Sequence, residues 1–249
     1  VADKEEAAAA CAKVTAAAGV RRKGERMENR RGQGFLLGLT GGVGAGKSTV
    51  LSYLEEAYGF HVIQTDLTAR RLMEPGMEGF QTAVRLFGAD ILDASGAICR
   101  PVLAERMFRE PEKRRQSDAA IHPLVWKAVR EEAAAFRNGP VVIETAVPGK
   151  EFRDSCREIW YLYTSEEIRA ARLRESRGYS PEKIRNIMAS QADEETFAGQ
   201  ADERLDNSGS PEQTREQIDR LLAERGIPLK AAKQQQKQRN GSDSGWPER

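Results

Sequence analysis

Gly41-Gly42-Val43-Gly44-Ala45-Gly46-Lys47-Ser48 satisfies the spacing G-x-x-x-x-G-K-[ST], and Thr49 follows it. Glycines at this density let consecutive amides turn inward around phosphate oxygens, and a helix starting at the lysine adds the partial positive charge of its N-terminus. In such a loop Lys47 reaches the β- and γ-phosphates, Ser48 offers its hydroxyl to Mg²⁺, and Thr49 sits beside the α-phosphate. Gly41 to Thr49 therefore predict a site for a nucleoside triphosphate with Mg²⁺. A free glycine turn is the bland alternative, and the apolar run before the loop and the helical pattern after it weigh against that reading.

The loop names the donor and leaves the chemistry open. A GTPase needs a base-reading [NT]-K-x-D, which does not occur, and Asp93-Ala94-Ser95-Gly96 matches D-x-x-G with no strand to support it. A motor or transporter ATPase needs four apolar residues ending in an acid, which "VVIET" meets only loosely through Glu144. A small-molecule kinase asks for a carboxylate to take the acceptor's proton, arginines to neutralise the moving phosphate, and a lid. Asp66 supplies the carboxylate, at the carboxyl end of a predicted strand over 60–66, the edge of an open parallel sheet where ligands gather. "EEIRAARLRESRGYSPEKIR" puts Arg169, Arg172, Arg174 and Arg177 on one helix, with Arg169 and Arg172 on a shared face and Gly178 able to end it.

Positioning these residues requires a scaffold, and the chain spells one out. Apolar runs over 34–40, 60–66, 140–147 and 158–164 are continuous rather than alternating, the mark of strands buried on both faces of a parallel sheet, and 203–207 is a short last candidate strand. A helix over 47–58 follows the loop, and Thr164 with Glu167, Ser180 with Pro181, and Ser210 with Gln213 read as helix starts. The fold expected is a P-loop NTPase three-layer α/β fold over residues 35–227. It carries a helical substrate lobe at about 67–138 and a lid at about 165–190. Residues 1–34 and 228–249 read as polar extensions that cannot bury a core, with Met27 an alternative start.

Composition narrows the class further. Charged residues make up 31% of the 249 but balance to +1, so no global field calls for nucleic acid or an anionic membrane. Cys11, Cys99 and Cys156 are widely spaced and read as free thiols of a cytoplasmic protein. No stretch approaches the roughly 18 apolar residues of a membrane span.

With those residues assembled, the chain resembles the dephospho-coenzyme A kinase family over about 35–225. The resemblance rests on "GLTGGVGAGKST", "TDLTARRLMEPG", "LFGADILDASGAICRPVLAERMF", "IHPLV", "ASQ" at 189–191 and "ADERLDNSG" at 201–209. It implies ATP-dependent phosphorylation of the ribose 3′-hydroxyl of dephospho-CoA, with Mg²⁺. By position Asp66 resembles the catalytic base and Arg70 the arginine at the edge of the acceptor site. His122-Pro123 resembles a turn in the CoA-binding lobe, a setting where a histidine is more often a structural hydrogen-bonding residue than a proton shuttle. Arg172 and Arg177 resemble the lid arginines that act with Lys47, Gln191 the glutamine closing the next helix, and Asn207 a residue near the adenine. The chain departs from the family pattern at Gln64, where D-x-D has its first acid, and at Pro148-Gly149-Lys150-Glu151-Phe152. A kinase of another nucleoside or nucleotide, and a non-catalytic ATP-binding regulator, are the alternative readings.

Overall fold

A computed structural model of the chain describes residues 34–230; the readings made for 1–33 and 231–249, Cys11 and Met27 among them, lie outside these. Five strands form one sheet: β1 (Leu36–Thr40), β2 (His61–Gln64), β3 (Val141–Thr145), β4 (Glu158–Tyr163) and β5 (Glu203–Asp206). Their order is β2-β3-β1-β4-β5 and every pairing is parallel. The alternate residues of each strand point to opposite faces, and in β1, β3 and β4 both sets are buried, which is why these strands read as apolar runs.

On one face Leu37, Leu39, Val142, Trp160 and Leu162 meet Val50 of α1 (Lys47–Tyr53) and Ile218 and Leu222 of α10 (Pro211–Glu224). On the other, Ile63, Val141, Ile143 and Ile159 meet Val125, Trp126 and Val129 of α5 (Pro111–Ala135) and Phe152 of α6 (Lys150–Ser155). The result is the three-layer α/β sandwich read from the sequence. At the edge opposite the loop, Arg225 Nε lies 2.7 Å from Glu158 Oε2 and its Nη2 2.7 Å from Glu203 Oε1, tying together the starts of β4 and β5. Among the described residues no helix is long and apolar enough to cross a membrane.

Local expectations are corrected at Asp66, at His122-Pro123 and at the cap of α7. The predicted strand 60–66 ends at Gln64: α2 (Thr65–Leu72) begins at once, so Asp66 lies in the first turn of a helix rather than at the end of a strand. A carboxylate there complements the helix's positive end, and the Thr68 hydroxyl donates to the Gln64 carbonyl at 3.3 Å. The helix after the loop changes hydrogen bonding at Leu54 and runs on to Tyr58 as a π-helical turn. His122-Pro123 is not a turn but lies inside the 25-residue α5, which stays continuous because its apolar face is pinned to the sheet.

The segment between β2 and β3 is helical, as expected. Besides α2 and α5 it holds α3 (Glu78–Phe87) and α4 (Arg100–Arg109), with a small core of Ala83, Phe87, Ile91 and Leu103. Asp93 has a local job there: its Oδ1 accepts from Ser95 N at 2.9 Å and Ala97 N at 3.1 Å, closing a turn. Beyond β4 come α7 (Glu166–Arg177), α8 (Pro181–Ala189) and α9 (Glu194–Gln200). Gly178 ends α7 at φ 62°, Ser180 caps α8, and Ser210 with Gln213 completes a capping box on α10. The cap of α7 is Ser165; Thr164 instead donates its hydroxyl to the Ala45 carbonyl at 3.0 Å.

Candidate active site

Gly41 to Gly46 join the end of β1 to the start of α1, and the loop's shape is imposed from outside it. Gly46, the residue before α1, sits at φ 90°, ψ 21°, a left-handed conformation that a Cβ disfavours. The Ala45 carbonyl accepts from Asn207 Nδ2 at 2.7 Å, Thr164 Oγ1 at 3.0 Å and Arg172 Nη1 at 3.4 Å. Asn207 is buried, and its own Oδ1 accepts from Thr214 Oγ1 at 2.7 Å. The Val43 amide donates to Gln191 Oε1 at 3.0 Å, while Arg169 Nε donates to the Val43 carbonyl at 2.9 Å. Side chains from β4, β5, α7, α10 and the end of α8 thus hold a backbone that has little side-chain packing of its own.

Lys47 reaches back over the loop, with Nζ 2.7 Å from the Gly41 carbonyl and 3.5 Å from Glu144 Oε1. Glu144 stands in β3 directly beside Leu39 of β1 and Gln64 of β2, and Gln64 Nε2 approaches its Oε2 at 3.4 Å. Both ionisable groups are buried, and burial moves both toward neutrality: Lys47 falls below the ordinary lysine value and Glu144 rises above the ordinary carboxylate value, each against the opposing pull of its partner. The Asp66 charge is felt at Lys47 and at Glu144, although Asp66 itself is exposed. A solvent-facing carboxylate therefore overlooks the buried pair from α2.

Two cavities flank this centre. One of about 190 Å³ lies at the Gly46 end, lined by Gly46, Thr49, Tyr53, Arg172, Asn207 and Arg215. The other, of about 290 Å³, lies between α2 and α4, with Ala69, Met73, Ile98 and Leu103 as apolar wall and Arg70 and Arg100 as its cations. Arg70 is thus in the lobe, one helical turn beyond Asp66.

The remaining sequence candidates fall unevenly. Arg172 donates through Nη2 to the Asn207 carbonyl at 2.9 Å, besides its contact to Ala45, so it braces the loop. Arg177 is exposed at the end of α7 with its guanidinium 5.8 Å from the Tyr179 ring centre. His122 is exposed on α5, its Nε2 accepting from the Trp126 indole at 3.2 Å. Ser48 and Thr49 are exposed on the first turn of α1, and the exposed Ser48 hydroxyl is open to a ligand.

Ser48, Glu144 and Asp66 offer only oxygen donors, the hard chemistry Mg²⁺ prefers, and among the described residues no cluster of three or more His, Cys, Asp or Glu could cage a metal alone. That sparse set fits an ion held largely by substrate phosphates and water. Sequence reasoning undervalued Glu144, Gln64 and Arg169. Glu144 had a signal, an acid ending an apolar strand, but the register that sets it beside Lys47 is a property of the sheet.

Residues 35–213 match the family model described as dephospho-CoA kinase. Among curated proteins, the dephospho-CoA kinase of Staphylococcus saprophyticus is 31% identical over 194 residues, covering 77% of this chain and 94% of the relative. That of Staphylococcus aureus strain RF122 is 32% identical over 194 residues, covering 77% and 93%. Among solved structures, a Thermus thermophilus protein superposes with TM-score 0.66 at 27% identity, covering 77% of this chain and 98% of that one. The dephospho-CoA kinase from Campylobacter jejuni superposes with TM-score 0.59 at 20% identity, covering 76% and 96%, a likeness of fold.

Proposed function

The chain belongs to the dephospho-CoA kinase family, and from that premise we propose how its residues transfer the γ-phosphoryl group of ATP to the ribose 3′-hydroxyl of dephospho-CoA, giving CoA and ADP, the last step of coenzyme A synthesis. One observation carries the reading. A buried Lys47–Glu144 pair and the exposed Asp66 meet at the end of the sheet where the phosphate loop begins, with one cavity on either side.

In this reading ATP lies along the loop with its base toward the cavity lined by Thr49, Arg172 and Asn207, and its phosphates over Gly41 to Ser48. Lys47, already aimed over the loop, exchanges its backbone partner at Gly41 for phosphate oxygens. Bound Mg²⁺, held by the Ser48 hydroxyl and steadied by Glu144, would neutralise charge between the β- and γ-phosphates. Dephospho-CoA enters from the lobe, where Arg70 and Arg100 meet its phosphates and the apolar wall takes its uncharged arm. Asp66 accepts the proton of the 3′-hydroxyl as that oxygen bonds to the γ-phosphorus, and the bond to the β-bridging oxygen breaks with its electron pair leaving on ADP. His122 borders the acceptor lobe, and Arg177 swings in with the closing lid. In this reading the reaction runs in the cytoplasm.

The test is ADP release from ATP and Mg²⁺ with dephospho-CoA, adenosine, AMP, CMP or no acceptor. Dephospho-CoA is expected to stimulate turnover well above the rest, and equal rates would overturn the acceptor assignment. Asp66→Asn is expected to leave ATP binding intact and remove most turnover, about 10²-fold or more. Unchanged turnover in that variant would remove Asp66 from its role.

A further inference from the structure

Arg169 is a cation of α7 with no part in the phosphoryl transfer proposed, and its surroundings are unusual for an arginine. Its guanidinium lies against Gly42: a Cβ built on that glycine would come within 2.3 Å of Nη2 and 2.8 Å of Nη1. Nε is fixed by the Val43 carbonyl at 2.9 Å and Nη2 by Gln191 Oε1 at 2.7 Å. Among the described residues Nη1 makes no hydrogen bond and no carboxylate pairs with the group. A guanidinium held by two neutral acceptors keeps its full charge and three of its five N–H donors for an anion.

The place of that charge tells which anion. Lys47 Nζ contacts the Gly41 and Gly42 carbonyls, so the loop's Gly41–Gly42 end is where the β- and γ-phosphates lie. Arg172, one turn farther along α7, is at the other end, bonded to Ala45 and Asn207 beside the nucleoside cavity. Burial is the main cause of the low Lys47 value, and the Arg169 charge adds to it, as two cations facing one space would. Gln191, just past α8, holds the arrangement: its Oε1 accepts from both Arg169 and the Val43 amide, so one carboxamide locks lid to loop.

We infer that Arg169 is a catalytic residue that grips the γ-phosphoryl group of the donor, and that Gln191 is the positioning residue that aims it. The inference rests on the loop holding ATP and is independent of which acceptor is phosphorylated. A group that touches only the γ-phosphate distinguishes triphosphate from diphosphate, whereas a scaffold residue affects both alike.

The experiment is calorimetric titration of the full chain with β,γ-imido-ATP and with ADP, each with Mg²⁺, beside kcat for dephospho-CoA phosphorylation. Arg169→Ala is expected to weaken the imido-ATP complex roughly tenfold or more while ADP affinity stays within about twofold, and to lower kcat about 100-fold or more. Gln191→Ala should move the ratio the same way by a smaller factor. Gln191→Glu keeps the acceptor but sets a carboxylate against Arg169, so it should also weaken the imido-ATP complex selectively. Should Arg169→Ala fail to fold, Arg169→Lys keeps the charge, loses the fork and is read by the same ratio. Equal weakening of both nucleotides, or no change in the ratio, overturns the inference. Failure of the family reaction would show differently, as a wild-type chain that binds both nucleotides and releases no ADP with dephospho-CoA.

Discussion

Gly46→Ala is the perturbation whose cost the structure states most directly. The residue sits at φ 90°, where an L side chain costs about 1–2 kcal/mol. The new methyl would also lie 2.4 Å from Asn207 Nδ2, which cannot step aside freely because Ala45 and Thr214 hold the amide at both ends, 2.7 Å each. Moving it surrenders two buried hydrogen bonds at about 0.5–1.5 kcal/mol apiece, so the whole change costs roughly 2–5 kcal/mol. For a domain of this size that is a fall in melting temperature of about 5–15 °C. Because the strain falls on the loop, the rise in melting temperature that ATP with Mg²⁺ gives the wild type should shrink too. The assay is thermal denaturation with and without nucleotide, run beside Gly199→Ala, a helical site with open space around it, where no loss is expected. Combining Gly46→Ala with Asn207→Ala separates the terms: without the Asn207 amide only the backbone strain remains, so the double variant should cost less than the sum of the singles. Strict additivity, or a wild-type melting point for Gly46→Ala, would refute the reasoning.

Two further outcomes follow from the electrostatics. Glu144 raises the Lys47 value against the burial that lowers it, so in Glu144→Gln the lysine should lose its proton at lower pH. The alkaline limb of kcat/KM for ATP, which reports the free enzyme, should move down, and an unmoved limb would show that Glu144 does not act on Lys47. The Tyr53 and Tyr58 hydroxyls both donate to Asp219 Oδ1 at 2.7 Å; burial, then this bond, pushes Tyr53 from 10.0 up to about 12 and raises Tyr58 as well. Their folded-state values exceed the unfolded ones, so the stability they lend is complete below pH 10.0 and is lost as pH rises toward about 12. Spectrophotometric titration of tyrosinate should show both ionising late, and Asp219→Asn should bring them earlier.

Much of this protein is written in the order of its residues. Unbroken apolar runs declare strands buried on two faces, and G-x-x-x-x-G-K-S between the first of them and a helix declares a phosphate loop, because both are local patterns with one physical meaning. Ser180, Ser210 and Gly178 likewise punctuate helices by chemistry that acts over three or four residues. Boundaries that depend on competition between local and distant packing were less legible. Asp66 reads as the end of a strand until the neighbouring β3 stops pairing at Gln64, and His122-Pro123 reads as a turn until the sheet holds α5 straight. What only the tertiary structure decided is which side chains meet at the loop. Glu144 reaches Lys47 through strand register across 97 positions of chain, and Arg169, Gln191, Thr164 and Asn207 reach Val43 and Ala45 from more than a hundred residues away. No spacing rule carries information over such distances, because those contacts exist only once the parallel sheet has brought the ends of its strands to one edge.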